Sequence, residues 1–171
     1  MTDLAKYIRD VPDFPKEGII FKDITTLLKD PKAFKDAVDT IAELYKDKGI
    51  TKVVGIESRG FIFGAPLAYL IGAGFVIVRK PGKLPAETLS ESYELEYGTD
   101  SIEIHKDAIE PGEKVLIIDD LLATGGTAKA TAAVVKKLKG DIIGIAFLIE
   151  LEFLKGIKKL EEYNITSIIK F

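Results

Sequence analysis

Val115 to Thr127 reads Val-Leu-Ile-Ile-Asp-Asp-Leu-Leu-Ala-Thr-Gly-Gly-Thr. Apolar residues, mostly β-branched, predict a buried strand over 115–118. Asp119 and Asp120 sit at its end, a glycine-containing turn follows, and an alanine-rich helix starts near Thr127. Backbone N–H groups at a helix start lack intrahelical partners and carry partial positive charge, so they can hold a phosphate. Carboxylates accept hydrogen bonds from a sugar diol. A phosphate site beside a hydroxyl site describes a ribose 5-phosphate. A Gly-Gly turn alone would mark only a turn. The two acids together with Thr124, Gly125, Gly126 and Thr127 carry the functional reading. Neither a P-loop nor a Gly-x-Gly-x-x-Gly fingerprint occurs.

Arginine is used sparingly: the chain has 21 lysines and three arginines, Arg9, Arg59 and Arg79. Arg59 follows the apolar run 53–56 within Glu57-Ser58-Arg59-Gly60, and Arg79, with Lys80 beside it, follows 75–78. The planar guanidinium fork suits phosphate, although structural ion pairs would also place arginine there. The single His105 leaves no His-based triad or multi-His metal site, and its place after Ile102 and Ile104 predicts a surface position.

The 171 residues suit one domain, 1–171, with a full core. The composition, 47% hydrophobic and 30% charged, is that of a soluble globular protein. A net charge of −3 gives no footprint for nucleic acid. The absence of cysteine excludes disulfides and thiolate metal sites; with an N-terminus that lacks a signal-like apolar region, it leads to the expectation of a cytoplasmic protein. Apolar runs are too short to span a bilayer.

These residues need elements to position them. Residues 3–10 predict a short helix, 11–30 a loop-rich arm, and Asp30-Pro31 the start of a helix whose stripe is Phe34, Ala37, Val38, Ile41, Leu44 and Tyr45. Strand 53–56, helix 62–71, strand 75–78, strand 115–118, helix 127–139, strand 142–149, helix 153–162 and strand 165–169 follow. Between them, 80–105 predicts an exposed β-hairpin turning at Gly98–Ser101. Alternating strands and helices with continuously apolar strands predict an α/β fold with a central parallel sheet flanked by helices.

The stretch Asp119–Thr127 resembles the signature that binds 5-phospho-α-D-ribose 1-diphosphate (PRPP) in type I phosphoribosyltransferases, in the form carried by those that act on adenine. The resemblance runs from the arm to strand 165–169. It implies the family's fold: the central parallel sheet, an N-terminal hood (1–30), an inserted flexible hairpin loop (80–105) and the PRPP motif (115–127). It further implies the reaction of adenine with PRPP to give AMP and diphosphate, with Mg2+ bound mainly by the substrate and no direct protein ligand. In the resemblance Asp119 and Asp120 hold the ribose hydroxyls, and Ala123, Thr124, Gly125, Gly126 and Thr127 clamp the 5-phosphate. Arg59, Arg79 and Lys80 face the diphosphate, the last two in their own site or across the interface of a homodimer.

Arg-Lys-Pro-Gly-Lys-Leu-Pro and Ser-Tyr-Glu-Leu-Glu-Tyr-Gly within 80–105 match the family's catalytic loop, placing Glu96 at its catalytic glutamate with Tyr97 adjoining. On its residues alone, Glu96 is a solvated strand carboxylate. Pro15–Ile24 resembles the base-binding hood: Ile20 and Phe21 would sandwich a purine, and the backbone of Ile20 and Lys22 would read its edge. Read without the resemblance, that segment is a hydrophobic loop plugging the core. Glu150-Leu151 resembles the far wall of the site. Two alternatives share the fold: a PRPP- or nucleotide-binding regulator without catalysis, and a phosphoribosyltransferase for another base.

Overall fold

A computed structural model describes residues 3–94 and 98–171. The chain divides into two compact units, residues 1–40 and 41–171.

In the first unit a single 3-10 turn (Leu4–Tyr7) replaces the helix expected over 3–10. The arm expected to be loop is a hairpin: β1 (Arg9–Pro12) pairs antiparallel with β2 (Ile20–Asp23). Arg9 and Asp23 face each other in that ladder and form an ion pair, which joins the strand ends. Asp23 is held at about 2 by hydrogen bonds from the Thr25 N–H and Arg9. A one-turn helix, α1 (Thr25–Leu28), follows. Helix α2 (Pro31–Tyr45) starts where expected, because Asp30 Oδ1 accepts from the N–H groups of Lys32 (3.0 Å) and Ala33 (2.8 Å). Ala37, Val38, Ile41 and Tyr45 are buried along it, whereas Leu44 is exposed.

In the second unit five parallel strands form the sheet: β3 (Lys52–Ile56), β4 (Gly74–Val78), β7 (Lys114–Leu122), β8 (Asp141–Glu150) and β9 (Ile165–Lys170), in the order β4-β3-β7-β8-β9. Strand alternation sends successive side chains to opposite faces. On one face Ile117 joins a cluster with Val134 and Val135 of α4 (Gly126–Lys137). On the other, Ile118 approaches α3 (Gly60–Ile71) at Gly64, where a methyl group would lie 3.1 Å from Ile118 Cγ2. Helices therefore cover both faces, as continuously apolar strands require. The helix expected over 153–162 is instead two 3-10 turns, Glu152–Leu154 and Gly156–Leu160.

The inserted hairpin consists of β5 (Thr88–Glu94) and β6 (Thr99–His105). Thr99–Ser101, expected in the turn, are paired residues of β6. Nor is the hairpin wholly exposed. Ile102 and Ile104 are buried in the same cluster as α4, and Arg79 bridges Glu103 beside β4. His105 is half-buried rather than a surface residue, and its Nε2 accepts from the Ala86 N–H at 3.3 Å.

Candidate active site

Chain order reverses between β3 and β7: β3 leads outward to β4, and β7 leads the other way to β8 and β9. Ligands of open α/β sheets bind at such a point, beyond the carboxyl ends of the strands. The ladder between β3 and β7 ends at Gly55–Ile118, while β7 continues against β8 to Leu122–Glu150. Asp119 and Asp120 thus lie inside a strand longer than the expected 115–118, past the last residue paired with β3. The gap is a cavity of about 430 Å³ lined by Glu57, Ser58 and Arg59 after β3, Lys80 after β4, Tyr93 of β5, and Asp119, Asp120 and Thr127. A smaller cavity of about 80 Å³ adjoins it, sharing Asp119 and Thr127 and lined by Ala123, Thr124, Gly125 and Gly126.

Its wall follows from backbone geometry. Gly125 has φ +77° and caps the start of α4. A methyl group there would lie 2.5 Å from the Gly156 carbonyl oxygen, and one on Gly156 would lie 2.1 Å from that of Ala123. The loop rests directly on the second 3-10 turn, with glycine on each side of the contact. Gly156 was not singled out by the sequence. Its position inside an expected helix was the available signal, since an interior glycine weakens a helix.

Burial pushes the Asp119 carboxyl well above its ordinary value, and the neighbouring Asp120 charge adds to the shift. Burial also raises Asp120, against the pull of Arg59. Arg59 Nε stands 2.8 Å from Asp120 Oδ2. The guanidinium expected at the diphosphate is thereby also tied to a carboxylate expected at the ribose. Gly60 lets α3 approach this pair, since a methyl group there would meet Asp119 Oδ1 at 3.0 Å.

Arg79 and Lys80 part company. Lys80 lines the larger cavity and pairs with Asp100. Arg79 Nε reaches Glu57 Oε2 at 3.3 Å, and Glu57 also accepts from Lys83 Nζ (2.8 Å) and the Lys80 N–H (2.8 Å). Against the upward push of burial, these donors hold Glu57 at about 2. Tyr93 is a wall residue that sequence reasoning missed; its ring covers Gly126, where a methyl group would lie 3.1 Å from Cδ2.

Glu96 and Tyr97 lie outside the described residues. In the first unit Phe21 is half-buried and meets the Phe14 ring edge-on at 5.2 Å, Ile20 is exposed, and Lys22 Nζ pairs with Asp10 at 2.7 Å. Glu150 is buried at the end of β8, with Lys170 Nζ 3.6 Å away. Among the described residues, no group of three or more His, Cys, Asp or Glu gathers as a metal cage would.

Known proteins match along the whole chain. The phosphoribosyl transferase domain profile covers residues 23–170. An adenine phosphoribosyltransferase of Trichlorobacter lovleyi is 60% identical over 171 residues, all of both chains. The crystal structure of adenine phosphoribosyltransferase from Thermoanaerobacter pseudethanolicus is 58% identical and superposes with a TM-score of 0.96, covering 99% of this chain and 98% of that one. The enzyme from Giardia lamblia, complexed with 9-deazaadenine, is 40% identical with a TM-score of 0.93, covering 99% and 96%. The chain belongs to the phosphoribosyltransferase family, among the adenine phosphoribosyltransferases.

Proposed function

We propose that this protein transfers the 5-phosphoribosyl group of PRPP to adenine, releasing AMP and diphosphate. The observation that carries the reading is the adjacency of the two cavities: a loop of backbone N–H groups at the start of α4 beside a carboxylate pair, with Arg59 and Lys80 lining the larger cavity alone. In sequence along the cleft this matches a 5-phosphate, a ribose diol and a leaving diphosphate. Identity of 60% to an adenine phosphoribosyltransferase supports the choice of base.

In this reading adenine N9 bonds to C1 of the ribose as the C1–oxygen bond to diphosphate breaks. Positive charge grows on the sugar ring and negative charge on the leaving group. Asp119 and Asp120 accept from the ribose hydroxyls and face the cationic ring. Arg59 and Lys80 donate to the diphosphate, and Arg79 supports that wall by orienting Glu57. Ala123–Thr127 hold the 5-phosphate. Glu96, with Tyr97 next to it in sequence, handles the purine proton. Ile20, Phe21 and Lys22 receive the base; in a two-stranded ladder such as β1–β2, alternate residues turn their N–H and C=O groups outward, the arrangement that reading a base edge needs.

Both carboxylates are already engaged, Asp119 Oδ1 accepting from the Asp120 N–H at 2.8 Å and Asp120 paired with Arg59, which fits a magnesium ion carried mainly by PRPP oxygens. Such an ion would neutralise charge on the leaving group. No helix among the described residues is long and apolar enough to cross a membrane, and we place the protein in the cytoplasm. A homodimer is supported by α3, whose outer face carries Ile62, Ala65, Pro66, Tyr69 and Leu70 at helical spacing, with Tyr69 86% exposed. Diphosphate release from PRPP, measured with adenine, hypoxanthine, guanine and uracil in turn, tests the function. Release with adenine alone is expected, and release with a different base in preference overturns the assignment.

A further inference from the structure

Asp100 has no part in the chemistry above, yet it grips two walls of the cleft. It lies on β6, two residues before the buried Ile102, so its backbone is anchored to the core. Its Oδ2 pairs with Lys80 Nζ and accepts from the Tyr93 hydroxyl at 3.3 Å. Lys80 and Tyr93 both line the 430 Å³ cavity, whereas Asp100 stands outside its lining. The Tyr93 hydroxyl also interacts with the Thr127 side chain in the phosphate loop. One carboxylate therefore draws on the diphosphate side directly and on the 5-phosphate side through Tyr93.

We propose that Asp100 is an internal stand-in for the diphosphate: it holds the Lys80 ammonium while the site lacks an anion, gives it up when diphosphate or PRPP binds, and takes it back as diphosphate leaves. The inference rests on the reading that Lys80 meets the diphosphate. A lysine suits such an exchange, because its ammonium is a point charge on a flexible stem whereas a guanidinium fork fixes its partner's geometry. The pair is half open to water, with side-chain exposures of 51% for Lys80 and 24% for Asp100, so breaking it costs little and the exchange can run both ways. The direction of the effect is specific. Loss of a merely structural contact weakens substrate binding, whereas loss of a competitor strengthens it. Asp100 is thus a positioning residue that acts through Lys80 and sets how readily the product anion is released.

The test is inhibition by inorganic diphosphate, competing with PRPP, in the full-length protein and in Asp100→Asn, Asp100→Glu, Lys80→Gln and the double variant. Asp100→Asn is expected to tighten the diphosphate Ki by about two- to fivefold, the range of an exposed ion pair, and to lower kcat if diphosphate release limits turnover. Asp100→Glu should restore the parental Ki. In the Lys80→Gln background the Asn substitution should change nothing. AMP affinity, read at the 5-phosphate loop, should stay constant and reports that each variant is folded. An unchanged or weaker Ki in Asp100→Asn, with Lys80→Gln weakened, overturns the stand-in and leaves the Lys80 reading intact. An unchanged Ki in Lys80→Gln overturns both.

Discussion

Replacing Gly156 by alanine perturbs the loop assigned to the 5-phosphate from a residue that lines neither cavity. The new methyl carbon would lie 2.1 Å from the Ala123 carbonyl oxygen and 3.0 Å from the Gly125 nitrogen. An ordinary carbon–oxygen approach is about 3.3 Å, so the two backbones must part by roughly 1 Å. Neither contact is a side-chain end that could swing away; both belong to main chain, and Gly125 is already committed to its left-handed conformation. The loop would therefore move relative to Asp119 and Asp120, which stay fixed in β7. A misplacement of about 1 Å in a positioning element costs on the order of a hundredfold in rate, or about 2.7 kcal/mol of transition-state stabilisation. Stability should fall by about 1–3 kcal/mol through overpacking, roughly 2–12 °C in Tm. The assay is kcat/KM for PRPP together with AMP affinity and a thermal melt. Gly126→Ala is the comparison, since its methyl group would press on the Tyr93 ring at 3.1 Å and meet the Glu94 carbonyl oxygen at an ordinary 3.6 Å, and a much smaller loss is expected. A folded Gly156→Ala protein whose kcat/KM for PRPP stays within twofold of the parent would refute the idea that this contact sets the loop.

Because burial raises Asp119 and Asp120, and in the proposed reading it is their negative charge that stabilises the cationic ring, kcat/KM for PRPP should rise with pH along a limb lying above the ordinary carboxylate value of 3.8; Arg59→Gln, which removes the charge that lowers Asp120, should move that limb to higher pH in a pH–rate profile. Glu57 is lowered from 4.5 to about 2, so its contribution to stability is complete above pH 4.5 and lost as pH falls toward 2; Glu57→Gln should cost about 1–2 kcal/mol at pH 7, with thermal melts of the two proteins converging in acid. Glu96→Ala should lower kcat by roughly tenfold to a thousandfold with AMP affinity little changed, as measured by turnover and equilibrium binding. Tyr69→Lys combined with Leu70→Lys should yield monomers in light scattering, and a dimer that persists would remove α3 from the interface.

What was legible in the sequence was what local chemistry dictates. The Asp119–Thr127 motif carries its own strand, turn and helix start, and Asp30-Pro31 carries its own cap. The parallel sheet followed from unbroken apolar runs. The missed features depend on partners far along the chain. The 3-10 turns replace a helix where Gly156 must press against Ala123, some thirty residues earlier. Tyr93 lies on a polar-looking strand, and only pairing with β6 and packing on α4 bring it to the cleft. Ile102 and Ile104 alternate with polar residues as an exposed hairpin would, yet one face of that hairpin is core. The tie between Arg59 and Asp120 joins two strand ends whose adjacency is a property of topology alone.

The strand order has a consequence for how the chain is made. β3 and β4 can pair once β4 has followed α3 out, but the other side of β3 remains an open edge from its own emergence until β7 emerges. At usual synthesis rates that interval is roughly 3–12 s. Val53, Val54 and Ile56, all buried in the finished protein, line this waiting edge. An unpaired apolar strand is a template for association with other chains. The inserted hairpin between β4 and β7 lengthens the exposure, so the segment that serves the cleft also sets the time during which a nascent chain is open to misassembly.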